Sequence, residues 1–163
     1  MYKDIESKAE SVLISLYGSL DAIILPVDLA KAFEKILVEI EEGSFADANM
    51  SGTYSREGDV GKLLLSQQDP REQKVFIVAH VLGHFLLHAN TSRDVFFRNQ
   101  ITELDDEINP EEREANIFAA AVLMPRQLVQ QYWNASQDSV LLARKFGVTS
   151  EVAEFRVQIL QLL

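Results

Sequence analysis

The sequence predicts an α+β fold: a short antiparallel sheet packed on a buried helix that carries histidines, followed by a helical C-terminal half. Three observations predict it. Apolar residues recur at helical spacing in the first third, then switch to alternation near residue 38. Two Asp/Asn-Pro-x-Glu signals, at 69–72 and 109–112, mark helix starts further on. All three histidines of the chain, His80, His84 and His88, fall at spacing four in one apolar segment.

The elements follow in order. Ile5, Ala9, Val12, Leu13 and Leu16 predict a first helix over 3–16, ended by Gly18. A second is expected from Pro26, with Asp28 in its first turn and Leu29, Ala32, Phe33 and Leu37 on its apolar stripe. Val38-Glu39-Ile40-Glu41 alternates as a half-buried strand does, and 51–56 and 61–66 read as two more strands. Glu57-Gly58-Asp59 between them suits a hairpin turn. Asp69 as cap, Pro70 at the first helical position and Glu72 closing a capping box predict a helix to about His88. Residues 90–108 read as a polar, acidic loop containing Glu103, Asp105, Asp106 and Glu107. Helices are then expected from Asn109 to about Met124 and from Pro125 through Trp133. Two short ones, split at 147–150, close the chain.

Composition narrows the function. With 163 residues, 47% hydrophobic and 25% charged, the expectation is one globular domain over 1–163, helices and sheet to residue 68 and a helical, metal-site portion from 69. The absence of cysteine excludes disulfides, thiolate metal sites and a thiol nucleophile. Fifteen basic against twenty-five acidic residues give a net charge of −10, which disfavours direct nucleic-acid binding. The polar opening of the chain suggests no secretory leader, and 75–87, the longest apolar stretch, is too short to span a bilayer. A cytoplasmic protein with protein or peptide partners is therefore expected.

Four residues advance a helix by about 40° beyond a full turn, so His80 and His84 stack on one face, where two imidazoles can grip a divalent metal. The surrounding segment is apolar nearly all round and so reads as buried, and buried histidines need partners. A third ligand is best sought on the helix holding Glu111, Glu112 and Glu114. Glu112 shares a stripe with Ala115, Asn116 and Ala119, and Asn116 one turn on suits a hydrogen bond that supports a ligand. Glu112 also lies three residues after Asn109, the capping-box spacing, and spacing alone does not choose between cap and ligand. His88 reads more simply as a helix-end residue than as support for the site. Tyr54, Tyr132 and Trp133 read as packing residues.

The segment from Phe76 to His88 resembles the active-site helix of the ImmA/IrrE family of zinc metallopeptidases. The segment from Glu112 to Pro125 resembles that family's second motif, and the 142–156 tail resembles its C-terminal helical pair. The resemblance covers essentially the whole chain. It implies a small thermolysin-like zincin holding one Zn2+ through His80, His84 and Glu112. Asn116, His88 and Glu114 are the candidates to support those ligands from behind. It further implies an intracellular protein acting on a helix-turn-helix repressor, in mobile elements or stress responses. One residue departs from the pattern. The family's HExxH glutamate, the general base, is replaced by Val81. Valine neither takes nor delivers a proton, and acid–base catalysis contributes about 10²–10⁴-fold, so hydrolysis is expected to be weak or absent while metal binding survives. A natural pseudo-peptidase and an engineered inactive variant both fit Val81. Rescue by Glu114 or by the 103–107 carboxylates ranks below them, because nothing in the sequence holds such a base at a set distance. The alternative is a non-enzymatic regulator that binds its partner without cleaving it.

Overall fold

The computed structural model describes residues 2–57, 59–88, 95–98 and 110–163. In chain order these form α1 (Lys3–Tyr17), a 3-10 turn (Leu20–Ala22), α2 (Ala30–Phe33), β1 (Val38–Gly43), β2 (Met50–Glu57), β3 (Val60–Ser66) and α3 (Arg71–Leu87). They continue with β4 (Val95–Arg98), α4 (Pro110–Leu123), α5 (Arg126–Ser136), α6 (Ser139–Phe146) and α7 (Ser150–Ile159). The class is α+β, with a helical C-terminal half, as the sequence predicts.

Local chemistry explains most boundaries. Gly18, at φ 85°, ends α1 and donates its N–H to Ile14 at 2.8 Å. Asp138 caps α6 by accepting from the N–H groups of Val140 and Leu141. Thr149 caps α7 through Val152, and Gly147 at φ 66° makes the turn between the two helices. Two expectations need correction. The helix sought from Pro26 spans only four residues. The Asp28 carboxylate accepts from the Ala30 N–H at 2.9 Å and starts α2 there. The Leu37 carbonyl already accepts from Gly61 of β3 at 2.7 Å, so it is committed to the sheet, and the Leu37 side chain is exposed. At the start of α3, Pro70 is the N-cap with extended backbone (φ −62°, ψ 154°), one residue later than expected, and the Asp69 carboxylate oxygen Oδ2 is buried without a hydrogen bond.

The sheet has the order β1-β3-β2-β4. β2 and β3 form the expected antiparallel hairpin, and β4 is antiparallel to β2. β1, however, runs parallel to β3, from Val38↔Gly61 to Gly43↔Ser66, so the sheet is mixed and not wholly antiparallel. β2 reverses the direction of β1, β3 reverses it again, and β3 then lies between the two. β4 falls inside the segment read as a loop, because its short Val95-Phe96-Phe97 run is set among polar residues. Gly58 of the hairpin turn, the acidic residues Glu103, Asp105, Asp106 and Glu107, and Asn109 lie outside the described residues.

α3 sits between two apolar bodies. Ile77 and Val81 pack against Tyr54, Leu63 and Leu65 on the inner face of the sheet. Phe76, Ala79 and Leu82 join the larger core built from α1 and α4–α7. This accounts for a helix that is apolar nearly all round. α4 is buried from Ala115 to Leu123 and packs against α3. Their approach is close. A Cβ on Gly83 would stand 3.1 Å from Phe118 Cδ1 and 3.2 Å from both Cα and O of Ala115.

A buried ion pair ties the chain ends together. The Arg156 side chain is completely buried; its Nε donates to the Met124 carbonyl at 2.9 Å, and its guanidinium grips both carboxylate oxygens of Glu6. α1, the end of α4 and α7 thus meet at one charge-assisted contact. Removing one partner strands the other charge away from water. Glu6→Ala is expected to cost roughly 3–5 kcal/mol in denaturant unfolding, while Lys74→Ala, which breaks the exposed pair with Glu42, should cost about 1 kcal/mol or less.

Candidate metal centre

The helical period and the Gly83 contact bring the site together. His80 and His84 project from α3 toward α4, and Glu112 in the first turns of α4 reaches back. His80 Nε2 lies 2.9 Å from His84 Nε2 and 3.1 Å from Glu112 Oε2, and His84 Nε2 lies 3.2 Å from Glu112 Oε1. Both imidazoles are buried, and the carboxylate is partly exposed. Among the described residues, His80, His84 and Glu112 are the cluster whose atoms converge within ligand distance.

Asn116 determines what His80 presents. Its Oδ1 lies 2.7 Å from His80 Nδ1, and an amide oxygen only accepts. Nδ1 therefore carries the proton, and Nε2 turns its lone pair toward Glu112 and His84. Burial pushes His80 below the ordinary imidazole value; its contacts with Glu112 and Asn116 oppose that, and the neighbouring His84 adds to it. Burial pushes the Glu112 carboxyl up, but its contacts with the two imidazoles outweigh this and hold it well below the usual carboxylate range. A neutral imidazole and an ionised carboxylate are the metal-ligating forms. One cation among these atoms can take a lone pair from each of the three side chains. Bonds of about 2.0–2.1 Å in a tetrahedral shell place ligand atoms roughly 3.3 Å apart, close to the 2.9, 3.1 and 3.2 Å separations found here. The residues fit a divalent metal.

The other candidates sit elsewhere. His88 is the C-cap of α3, its N–H bonded to the His84 carbonyl at 2.9 Å. Its Nε2 lies 3.5 Å from Glu114 Oε2 and is buried without a hydrogen bond, so both residues stand outside the converging cluster. His84 Nδ1 is buried without a hydrogen bond, and so lacks the support that Asn116 gives His80. Val81 points into the apolar cluster beneath the sheet and is 1% exposed. Tyr54 belongs to that same cluster, and Trp133 and Tyr132 pack in the helical half. Sequence reasoning passed over Gly83. A glycine inside a strongly apolar helix is itself a signal of close backbone approach.

The fold and site define a class: an α+β domain that presents two helical histidines and a carboxylate from a facing helix as a candidate metal site. The family profile of the peptidase M78 family, IrrE N-terminal-like domain, matches residues 34–158. The chain belongs to this zinc-dependent family. No curated protein matches the chain. Among solved structures it is similar in fold to a Mycobacterium tuberculosis transcriptional regulator, at 23% identity and a TM-score of 0.58. That likeness covers 95% of this chain but 47% of the regulator, so the chain spans about half of its length. Among the described residues no helix is long and apolar enough to cross a membrane.

Two outcomes check the geometry. Asn116→Leu, which removes the acceptor for His80 Nδ1, should weaken zinc affinity by about 10–100-fold in a competitive chelator titration. Gly83→Val, which forces α3 from α4, should lower stability by roughly 1–3 kcal/mol and weaken zinc affinity as well.

Proposed function

We propose that this chain is a zinc-binding regulator of the IrrE type that engages a helix-turn-helix repressor and cleaves it weakly or not at all. His80, His84 and Glu112 would hold the metal, with Asn116 orienting His80. The observation that carries the reading is the convergence of three lone-pair donors from two buried helices, beside a Val81 packed among Tyr54, Leu63, Leu65 and Ile77.

Zinc, when bound, supplies Lewis acidity toward a peptide carbonyl and acidifies water. Hydrolysis also needs a side chain that removes a proton from the water and returns it to the leaving amine. Val81 has no titratable group and packs in an apolar cluster with Tyr54, Leu63, Leu65 and Ile77. Binding and hydrolysis therefore separate in this chain. The net charge of −10 suits a basic protein partner acting in the cytoplasm, and a repressor encoded beside this chain is the first candidate.

Elemental analysis of protein purified without chelator should find about one zinc per chain, lost in His84→Ala. Absence of metal from both proteins would reject the zinc reading. Val81→Glu should then raise cleavage of the matched repressor by about 10²–10⁴-fold. Cleavage by the parent chain at the same rate as Val81→Glu would reject the missing-base account. A stable stoichiometric complex between the parent chain and an intact repressor is the expected state.

A further inference from the structure

A second site lies on the side of α3 facing α1 and α2. Val12 and Leu16 of α1, Ala32 and Ile36 of α2 and the turn after it, and Leu82 and Leu86 of α3 line an open pocket of about 300 Å³. This is the lower end of the range of about 300–1,000 Å³ that small-molecule sites occupy. Five of the six side chains are only partly buried, although they pack against the main core, so the pocket presents wet apolar surface. Such surface gains free energy when a ligand displaces its water.

The rim is polar and differs in sign from the molecule as a whole. Lys31 and Lys35, four residues apart, line the pocket, and Lys35 Nζ lies 3.5 Å from Ser15 Oγ of α1. Glu34 also lines the rim. Two ammonium groups and one carboxylate leave a net charge of +1 on a chain of net −10. That balance suits one carboxylate better than a doubly charged phosphate, while the floor accepts an alkyl chain.

We infer that this pocket binds a small amphipathic carboxylate, its alkyl chain on Leu16, Ile36, Leu82 and Leu86 and its head group between Lys31 and Lys35. The inference does not depend on the metal site or on cleavage. Because Leu82 and Leu86 lie on the helix that carries His80 and His84, an occupant braces α3 from the side away from the sheet.

Isothermal titration of the full chain with decanoate, decanol and decylamine, all below micelle formation, tests it. Net charge alone favours decylamine; the pocket favours decanoate. The expected result is one decanoate per chain, bound at least fivefold more tightly than decylamine. Lys31→Glu with Lys35→Glu should weaken it by roughly fivefold or more. Ala32→Trp, which places a large side chain at a partly buried position lining the pocket, should abolish binding. Absence of decanoate binding, equal or tighter binding of decylamine, or undiminished binding by Ala32→Trp would each overturn the inference. Should the tryptophan variant fail to fold, the double lysine variant decides by itself: unchanged decanoate affinity overturns the inference.

Discussion

The close approach of α3 to α4 is the constraint on which the candidate site depends. Gly83 faces Ala115 and Phe118 so closely that a Cβ would stand 3.1–3.2 Å from them. Glu112 and Asn116 flank Ala115 on α4, and His80 and His84 flank Gly83 on α3. One contact between small residues therefore sets the reach of all four polar side chains. A helix pair held even slightly further apart would leave the carboxylate short of the imidazoles. The run Ala119-Ala120-Ala121, buried throughout, extends the same close packing along α4.

α3 divides its work by face. One side packs on the sheet through Ile77 and Val81, another enters the main core through Phe76, Ala79 and Leu82, and a third presents the histidines to Glu112. The faces answer to different requirements, so one can change while the others persist. Valine at position 81 is well accommodated, because its neighbours beneath the sheet are Tyr54, Leu63, Leu65 and Ile77. A glutamate there would face a desolvation cost that only a nearby positive charge offsets. Packing at the sheet face and the convergence of His80, His84 and Glu112 at the α4 face are thus separate demands on one helix. A side chain without a titratable proton at position 81 is compatible with both.

At the far end, Arg156 and Glu6 solve a different problem. The last carbonyls of α4 are buried, and a buried carbonyl needs a donor. Arg156 supplies Nε to the Met124 carbonyl and neutralises its own charge against Glu6. The pair joins α1 to α7 across nearly the whole sequence, in a chain without cysteine to provide covalent staples. Burying both charges is itself costly, and this offsets much of the pair's net stabilisation.

Much of this was legible in the sequence. Period and capping residues located α1, α3 and the four C-terminal helices to within a few residues, and the spacing of His80 and His84 put two imidazoles on one helix face. What stayed hidden was non-local. Nothing near residue 38 says that β1 runs parallel to β3, because pairing partners are chosen by the whole sheet. The brevity of α2 follows from a hydrogen bond between Leu37 and Gly61, twenty-four positions apart. Whether Glu112 caps or ligates could not be read from its spacing to Asn109, since one spacing serves both roles. By itself the sequence determined the residue types, their helical faces and the absence of a base at position 81, because these follow from local periodicity and side-chain chemistry. Only the tertiary structure decided that Glu112, and not Glu114, meets both imidazoles, and that Val81 lies against the sheet. Those choices depend on the distance and rotation between packed helices, which no single segment encodes.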